Sequence, residues 1–247
     1  MPEEFFTSES QGSTAAAGVY SYPEVEAAGG PILVREYPGP QRFFRYRVIK
    51  RTLDIVLVVL ATPVLAPLFL AVAAAVRFSS PGPVLFSHRR IRKHGEFFSM
   101  WKFRTMCVDS AQVLEDYLTA NPGARKEWRE NHKLKRDPRV TRVGAFLRRM
   151  SLDELPQFWN VLQGTMSLVG PRPIVAAEVE KYGDNFDEYC KVKPGLTGLW
   201  QVSGRNEVSY EQRVQLDCRY VRSWSLLEDA KIMSRTLSSV VNQDGAY

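Results

Sequence analysis

Residues 55–76 read IVLVVLATPVLAPLFLAVAAAV, an apolar run without a charged side chain, and the architecture turns on where it is housed. As a straight helix its 22 residues would extend roughly 33 Å at ~1.5 Å per residue, enough for a bilayer core. Pro63 and Pro67 lie near its middle, and an interior proline removes a backbone donor and kinks a helix. Both flanks are basic: Arg42, Arg45, Arg47, Lys50 and Arg51 precede the run, and Arg77, Arg89, Arg90, Arg92 and Lys93 follow it. A helix that crosses once carries its Lys/Arg excess on the cytoplasmic side only. Basic residues on both sides therefore point to two ends that return to the same cytoplasmic face. An ordinary transmembrane helix with a proline kink is the alternative. A soluble core helix fits less well, because the run has no polar face.

Outward from this run the chain changes character. Residues 1–40 contain six acids and one base and are rich in Gly, Pro, Ser and Ala without periodicity; they read as a disordered acidic tail. With a formal charge of +6 over 247 residues, the tail's −5 leaves a basic body suited to an anionic partner, whether nucleic acid, anionic lipid or phosphorylated substrate. Hydrophobic residues make up 45%, which excludes a polytopic membrane protein. The three cysteines, Cys107, Cys190 and Cys218, form no CxxC pair and no disulfide framework, in keeping with a reducing, cytoplasmic setting. His88, His94 and His132 make no zinc-type spacing with them. No apolar signal segment follows the acidic first ten residues.

Beyond residue 80 the pattern is globular and mixed. Residues 97–106, FFSMWKFRTM, alternate as a strand does, with Trp101 and Phe103 on one face and Lys102 and Arg104 on the other. Asp109 with Gln112 marks a helix running to about Leu118, and residues 121–142 form a polar helix and loops. Ser151 opens another helix. Residues 191–206 are a Pro/Gly-punctuated loop region. Ser209/Gln212 and Ser225/Glu228 are spaced as capping boxes for two C-terminal helices. In the last of these Leu226, Ala230, Met233, Leu237, Val240 and Val241 share a face, a core or interfacial stripe.

Three stretches could carry chemistry. In SLDELPQ, 151–157, Ser151 and Glu154 have capping-box spacing and Asp153 suits a first helical turn, which is a purely structural reading. The functional reading divides labour between adjacent carboxylates, one a nucleophile and the other a cation ligand. In GPRP, 170–173, two prolines fix the backbone around Arg172, whose guanidinium suits a phosphate or diphosphate; a turn with a solvated arginine is the alternative. In KPGLTGLWQVSGRN, 193–206, three glycines permit close backbone approach, and Arg205 and Asn206 supply donors; it is neither a Walker A nor a GxGxxG sequence. Lys102 and Arg104 add cations or serve as edge-strand gatekeepers. Asp217 and Asp229 fall on the C-terminal helices, where surface positions are the default.

Together, KRTLDIVLVVLATPVLAP, MWKFRTM, SLDELPQFWNVLQGTMSLVGPRP, KPGLTGLWQVSGRN and the terminal DGAY resemble the bacterial sugar transferases, monotopic polyprenyl-phosphate phosphoglycosyl transferases, over residues 48–247. The resemblance implies an α+β, mostly helical fold with one re-entrant membrane helix, amphipathic interfacial helices and a small sheet in a cytoplasmic catalytic domain. Its divisions are a tail over 1–40, a juxtamembrane segment and re-entrant helix over 41–80, and a catalytic domain over 81–247. The family's Ser-Pro helix break is matched by Thr62-Pro63, whose hydroxyl can also bond the freed carbonyl. Asp153 aligns with the nucleophile and Glu154 with the magnesium (Mg2+) ligand. Lys102, Arg104, Arg148, Arg149 and Arg172 lie in the segments lining the family's phosphate site, with Arg205, Asn206 and Asp217 as further substrate-binding candidates. The implied reaction moves a hexose-1-phosphate, galactose or glucose, from a UDP-sugar to undecaprenyl phosphate at the cytoplasmic leaflet of the bacterial inner membrane. This begins surface-polysaccharide or O-antigen synthesis and leaves a homodimer open. Two rivals stand beside it: a membrane-anchored nucleic-acid binder, for which no recognition module is found, so that nucleic acid is not an expected partner, and a non-catalytic scaffold of the same fold.

Overall fold

The computed structural model describes residues 45–131, 134–204 and 208–242; the acidic tail, Arg205, Asn206 and the DGAY ending lie outside them. A π-helical turn, Arg45–Lys50, leads into α1, Arg51–Ser79, which continues through both prolines. Then follow β1 (Leu85–Ile91), β2 (Phe97–Phe103), α2 (Ser110–Ala120), α3 (Pro122–Asn131), α4 (Arg142–Arg149), a 3₁₀ turn at Leu152–Glu154, α5 (Gln157–Gln163) and β3 (Ser167–Val169). Two single-turn helices, α6 (Val179–Tyr182) and α7 (Phe186–Tyr189), precede β4 (Gly195–Thr197), α8 (Tyr210–Arg222) and α9 (Leu226–Asn242). The class is mostly helical, as expected, but the strands form two separate pairs rather than one small sheet. β1 and β2 are antiparallel, with Phe86 opposite Lys102 and Arg90 opposite Phe98, and β3 and β4 are parallel.

Helix α1 is not a core helix: only 11% of its most apolar 18-residue stretch is buried. Its buried residues, Asp54, Val58, Val72 and Val76, form one stripe along its whole length. Val58 packs with Phe98, Met100, Val161 and Met166. Val72 and Val76 pack with Phe103 and Leu147, and Phe69 meets Phe103 with ring centroids 4.7 Å apart. Both ends of α1 therefore dock on the same globular body, while Leu60, Val64 and Leu70 between them face outward. The Thr62 hydroxyl donates to Val58 O at 2.9 Å. That is a correction in detail: the carbonyl that Pro63 frees belongs to Val59, four residues before it.

Strand β2 is the spine. Phe98 and Met100 are buried with α1 and α5, and Phe103 is buried with α1 and α4. Lys102 lies on the Phe98–Met100 face, at the point where apolar cover ends and the Leu152–Glu154 turn begins. Arg104 lies just past the strand. α5 is fixed to β2 by the Asn160 side chain, which donates to Ser99 O at 2.8 Å and accepts from Trp101 N at 3.0 Å. The antiparallel return of β1 places Phe86, His88 and Arg90 on the Lys102 face.

The C-terminal helices are more deeply built in than their sequence implied. The Ser209/Gln212 capping box forms reciprocally, and Glu228 N donates to Ser225 Oγ at 3.1 Å. The buried side of α9 is Asp229 and Ile232, whereas Leu237 is 69% exposed; the expected stripe through Leu237 is therefore not core, and the Val240 and Val241 side chains lie outside the described set. Asp229 is not on the surface either. Its carboxylate accepts from Lys50 Nζ at 2.6 Å, Tyr220 Oη at 2.7 Å and Trp224 Nε1 at 3.1 Å. One residue turn on, Asp54 Oδ1 accepts from Ser167 Oγ and Leu168 N, both at 3.1 Å. These two carboxylates tie the start of α1 to α9 and β3.

Removing one partner of a buried ion pair leaves an uncompensated charge. Asp229→Ala should therefore destabilise the detergent-solubilised protein by about 3–5 kcal/mol. Lys50→Met combined with Asp229→Leu should recover much of that loss. Chemical unfolding of the three proteins checks this, and equal losses in the single and double variants would show that Asp229 acts through its other partners.

Candidate active site

The two acids of SLDELPQ sit in a 3₁₀ turn, not at the N-terminus of a capped helix. Ser151 adopts φ 54° and its side chain caps nothing; the helix before it, α4, is capped by Thr141, which accepts from Gly144 N at 2.9 Å. The capping-box reading of Ser151 and Glu154 is thereby corrected. A non-glycine residue in the left-handed region is a strained choice. Here it reverses the chain out of α4 so that Asp153 and Glu154 come under β2. Asp153 is 8% exposed. Lys102 reaches both acids unequally, with Nζ 2.7 Å from Glu154 Oε1 and 3.5 Å from Asp153 Oδ2.

That asymmetry separates the two acids electrostatically. Burial raises the Asp153 carboxyl above the usual aspartate range, against the pull of Lys102; Glu154's charge adds to the rise and Arg148 opposes it. Burial acts the same way on Glu154, but there Lys102 and Arg172 outweigh it and hold the carboxyl below its usual range. One carboxyl is held firmly ionised and the other is left more basic, a separation that lets paired carboxylates take different roles.

Arg172 is presented by a backbone fixed on both sides. Gly170 N donates to Thr197 O at 2.9 Å and Gly195 N to Pro171 O at 2.8 Å. A side chain on Gly170 would meet Lys193 O at 2.6 Å and Gly195 N at 2.8 Å, so this crossing requires glycine. Downstream, Arg90 Nη1 lies 3.4 Å from Pro173 O, Ile91 N donates to Ile174 O at 2.9 Å, and the Tyr189 hydroxyl donates to Ile91 O at 2.7 Å. The result is a narrow slot lined by Arg90, Lys102, Glu154, Gln157, Arg172 and Gln201 among others. Three cations and a carboxylate meet there, a setting for a phosphorylated ligand.

A second, more buried network supports the slot. Glu178 lies 3.5 Å from Arg90 and 3.4 Å from Arg213. The Arg213 guanidinium sits 5.0 Å from the Trp200 ring centre, and Arg172 lies 5.7 Å from the same ring. Asp217 is 1% exposed and accepts from the Tyr182 hydroxyl at 2.7 Å; burial pushes its carboxyl up to about 7, against Tyr182, Arg213 and Arg172. His88, 3.4 Å from Arg90, is pushed down to about 4 by burial and by Arg90 and Lys102, so its ring is neutral at pH 7.

Of the expected site residues, Lys102, Asp153, Glu154 and Arg172 come together. Arg148 is exposed; its Nε donates to Thr105 Oγ1 at 2.9 Å, and its charge acts on Asp153. Arg149 is exposed. Arg104 points elsewhere: it donates to the carbonyls of Ser80, at 2.8 Å, and Pro81, holding the exit from α1. Asp217 is behind the slot, not on the surface and not among its lining residues. Arg205 and Asn206 lie outside the described residues. Arg90, Gln157 and Gln201 were not among the expected site residues, although Gln157 closes the SLDELPQ motif and Arg90 stands in the basic flank after the apolar run. Among the described residues no group of three or more His, Cys, Asp or Glu gathers as a metal site. The Asp153–Glu154 pair nonetheless fits magnesium, which is commonly held by one or two carboxylates and completed by substrate phosphates and water.

The family model described as bacterial sugar transferase matches residues 45–243. The chain is 49% identical over 201 residues to the undecaprenyl-phosphate galactose phosphotransferase of Salmonella typhimurium, covering 81% of this chain and 42% of that one. The UDP-galactose-lipid carrier transferase of Erwinia amylovora gives the same identity and coverage. The exopolysaccharide production protein ExoY of Rhizobium meliloti is 46% identical over 221 residues, covering 90% of this chain and 97% of its own. The chain thus spans less than half of the first two relatives and nearly all of the third.

Because the Asp217 carboxyl titrates at about 7 when folded and near 3.9 when unfolded, the native state binds a proton that the unfolded chain does not. Its contribution to stability is present below about pH 4 and is lost as pH rises toward 7. Measured against Asp217→Asn, which does not titrate, the wild type should lose unfolding free energy between about pH 4 and 7 and level off above. A difference independent of pH would contradict the burial of a protonated carboxyl.

Proposed function

The chain belongs to the bacterial sugar transferase family, and from that premise we propose that it transfers a hexose-1-phosphate, from UDP-galactose or UDP-glucose, to undecaprenyl phosphate. The observation that carries this reading is the division between the two acids: Glu154 is held ionised by Lys102 and Arg172, while Asp153 stays buried and more basic at the edge of a cationic slot. In the first half of the reaction an Asp153 carboxylate oxygen attacks the β-phosphorus of the donor. The new carboxylate–phosphorus bond forms as the bond to the bridging oxygen breaks, and UMP leaves with the electron pair. In the second half a phosphate oxygen of the lipid attacks the same phosphorus. The acyl–phosphate bond breaks, Asp153 is regenerated as a carboxylate, and the lipid diphosphosugar departs.

No proton transfer is needed at the nucleophile, because both attacking groups are already anions. The barrier is instead the meeting of several negative charges. Lys102 and Arg172 lie where they can offset that charge with fixed geometry, and Arg90 holds the Pro173 carbonyl that keeps Arg172 in place. Glu154, with Asp153 beside it, is the residue that would hold magnesium, whose contribution when bound is neutralisation of the diphosphate.

The proposed setting is the cytoplasmic leaflet, with α1 as a re-entrant helix. Two observations support it: both ends of α1 dock on one body, and its outward residues are large and apolar. Phe146 on α4 and Trp159 on α5 are 52% and 57% exposed on helices that pack against α1, and a tryptophan so placed suits the headgroup region. At that depth a lipid phosphate and a soluble nucleotide can reach the same carboxylate. This role is the opening step of surface-polysaccharide assembly.

With magnesium, undecaprenyl phosphate and a panel of UDP-sugars, the purified protein should release UMP. Asp153→Asn should lower turnover by at least about 1,000-fold with folding intact. Glu154→Gln should be severely impaired but partly recovered at raised magnesium. Near wild-type turnover in Asp153→Asn would overturn the nucleophile. For the topology, cysteines introduced as Arg45→Cys and Ser80→Cys, in an otherwise cysteine-free chain, should both be shielded from an impermeant thiol reagent in intact cells. Labelling of either one from outside would make α1 a span.

A further inference from the structure

Gln157 is the least exposed polar side chain of the slot, at 2%. It opens α5 directly after Pro156, whose ring fixes the backbone there at φ −61°. One turn further along the same helix face, Asn160 bonds to both Ser99 and Trp101 of β2, and Arg51 donates to the Val161 and Leu162 carbonyls at the helix's other end. α5 is thus fastened at several points, and Gln157 is delivered rigidly beside Lys102. Its amide lies against Glu154 and helps keep that carboxyl ionised, but Nε2 reaches no partner at full hydrogen-bond geometry. A buried donor without a partner is unfavourable, and this one lines the slot with Arg90, Lys102, Glu154 and Arg172.

The slot defines what can satisfy that donor. Three of its neighbours are cations, which cannot accept a hydrogen bond. Glu154 Oε1 is taken by Lys102, and the carboxylate does not come within full hydrogen-bond geometry of Nε2. A ligand can bring the well-placed acceptor that Nε2 lacks, and the surrounding positive charge selects an anionic one. An uncharged donor is useful here: unlike a fourth cation, it would not draw Glu154 out of its contact with Lys102. We propose that the Gln157 side-chain amide donates to a non-bridging oxygen of the diphosphate that reacts at Asp153, making Gln157 a substrate-contacting residue. This rests on the phosphoglycosyl-transfer reading above and adds to it a residue outside the acidic pair and the cations.

Two near-isosteric variants test it. Gln157→Met keeps the length and removes the donor. Gln157→Glu keeps the shape, removes the donor and adds negative charge. Because Nε2 makes no well-formed hydrogen bond within the protein, Gln157→Met should unfold no earlier than wild type in nanodiscs. The readout is kcat/KM for UMP release from UDP-galactose or UDP-glucose, whichever the wild type uses, over a magnesium titration. Gln157→Met should lose about 10- to 100-fold, and Gln157→Glu should lose more. A folded Gln157→Met at wild-type kcat/KM overturns the proposal. So does a Met defect fully restored by magnesium, which would assign the amide to Glu154 alone. An active Gln157→Glu with tighter magnesium dependence also overturns it, because it would make residue 157 a metal ligand. In all three cases the wild type still releases UMP and the reaction reading stands; a wild type that releases none removes both.

Discussion

The unequal reach of Lys102 toward two adjacent carboxylates is the contact on which the rest of the molecule depends. Its ammonium lies 2.7 Å from Glu154 and 3.5 Å from Asp153. That difference, with burial of Asp153 and Arg172 beside Glu154, leaves Asp153 the more basic of the two carboxylates, and it exists only if three distant segments keep register. β2 must present Lys102 at the end of a buried face. The strained turn at Ser151 must bring the acids beneath it. The glycine crossing at Gly170 and Gly195 must hold Arg172 beside Glu154. Each of these is a backbone constraint, so the charges are placed by rigid elements rather than by mobile side chains.

Helix α1 belongs to the same construction. Asp54 on its first turn accepts from Ser167 and Leu168, the residues that begin β3, and β3 runs directly into GPRP. Lys50, just before α1, is buried against Asp229 of α9. The start of α1 is therefore bonded to the strand that leads into Arg172. The stripe that includes Val58, Val72 and Val76 keeps the remainder of the helix alongside β2. A position fixed for α1 becomes a position fixed for the acidic pair.

Much of this was legible from local pattern. The apolar run, the β2 alternation, the Ser209/Gln212 box and the grouping of Lys102, Asp153, Glu154 and Arg172 all depend on short-range periodicity or on motifs carried by the family resemblance. What escaped depends on contacts between distant residues. Asp229 looked like a surface acid because its partner, Lys50, lies 179 positions away. Asp217 likewise is buried against Tyr182, 35 positions off. Ser151 had the spacing of a cap, and only the reversal out of α4 shows that it cannot be one. Arg104 and Lys102 were equivalent in sequence. The end of β2 separates them, sending one to the acids and the other to the carbonyls of Ser80 and Pro81. Gln157 was written in the motif itself, but an unpartnered amide becomes visible only when its neighbours are known.

The central claim is that Asp153 becomes covalently phosphorylated by the sugar-phosphate. The most direct measurement is mass spectrometry of the protein after incubation with its UDP-sugar donor and magnesium, in the absence of lipid acceptor. The account predicts release of UMP up to one equivalent, a mass gain of one hexose phosphate, and its location on the peptide containing Asp153. Adding undecaprenyl phosphate should then discharge it. Full turnover with lipid present, but neither UMP release nor an adduct in its absence, would contradict the account and point to direct transfer between the two substrates.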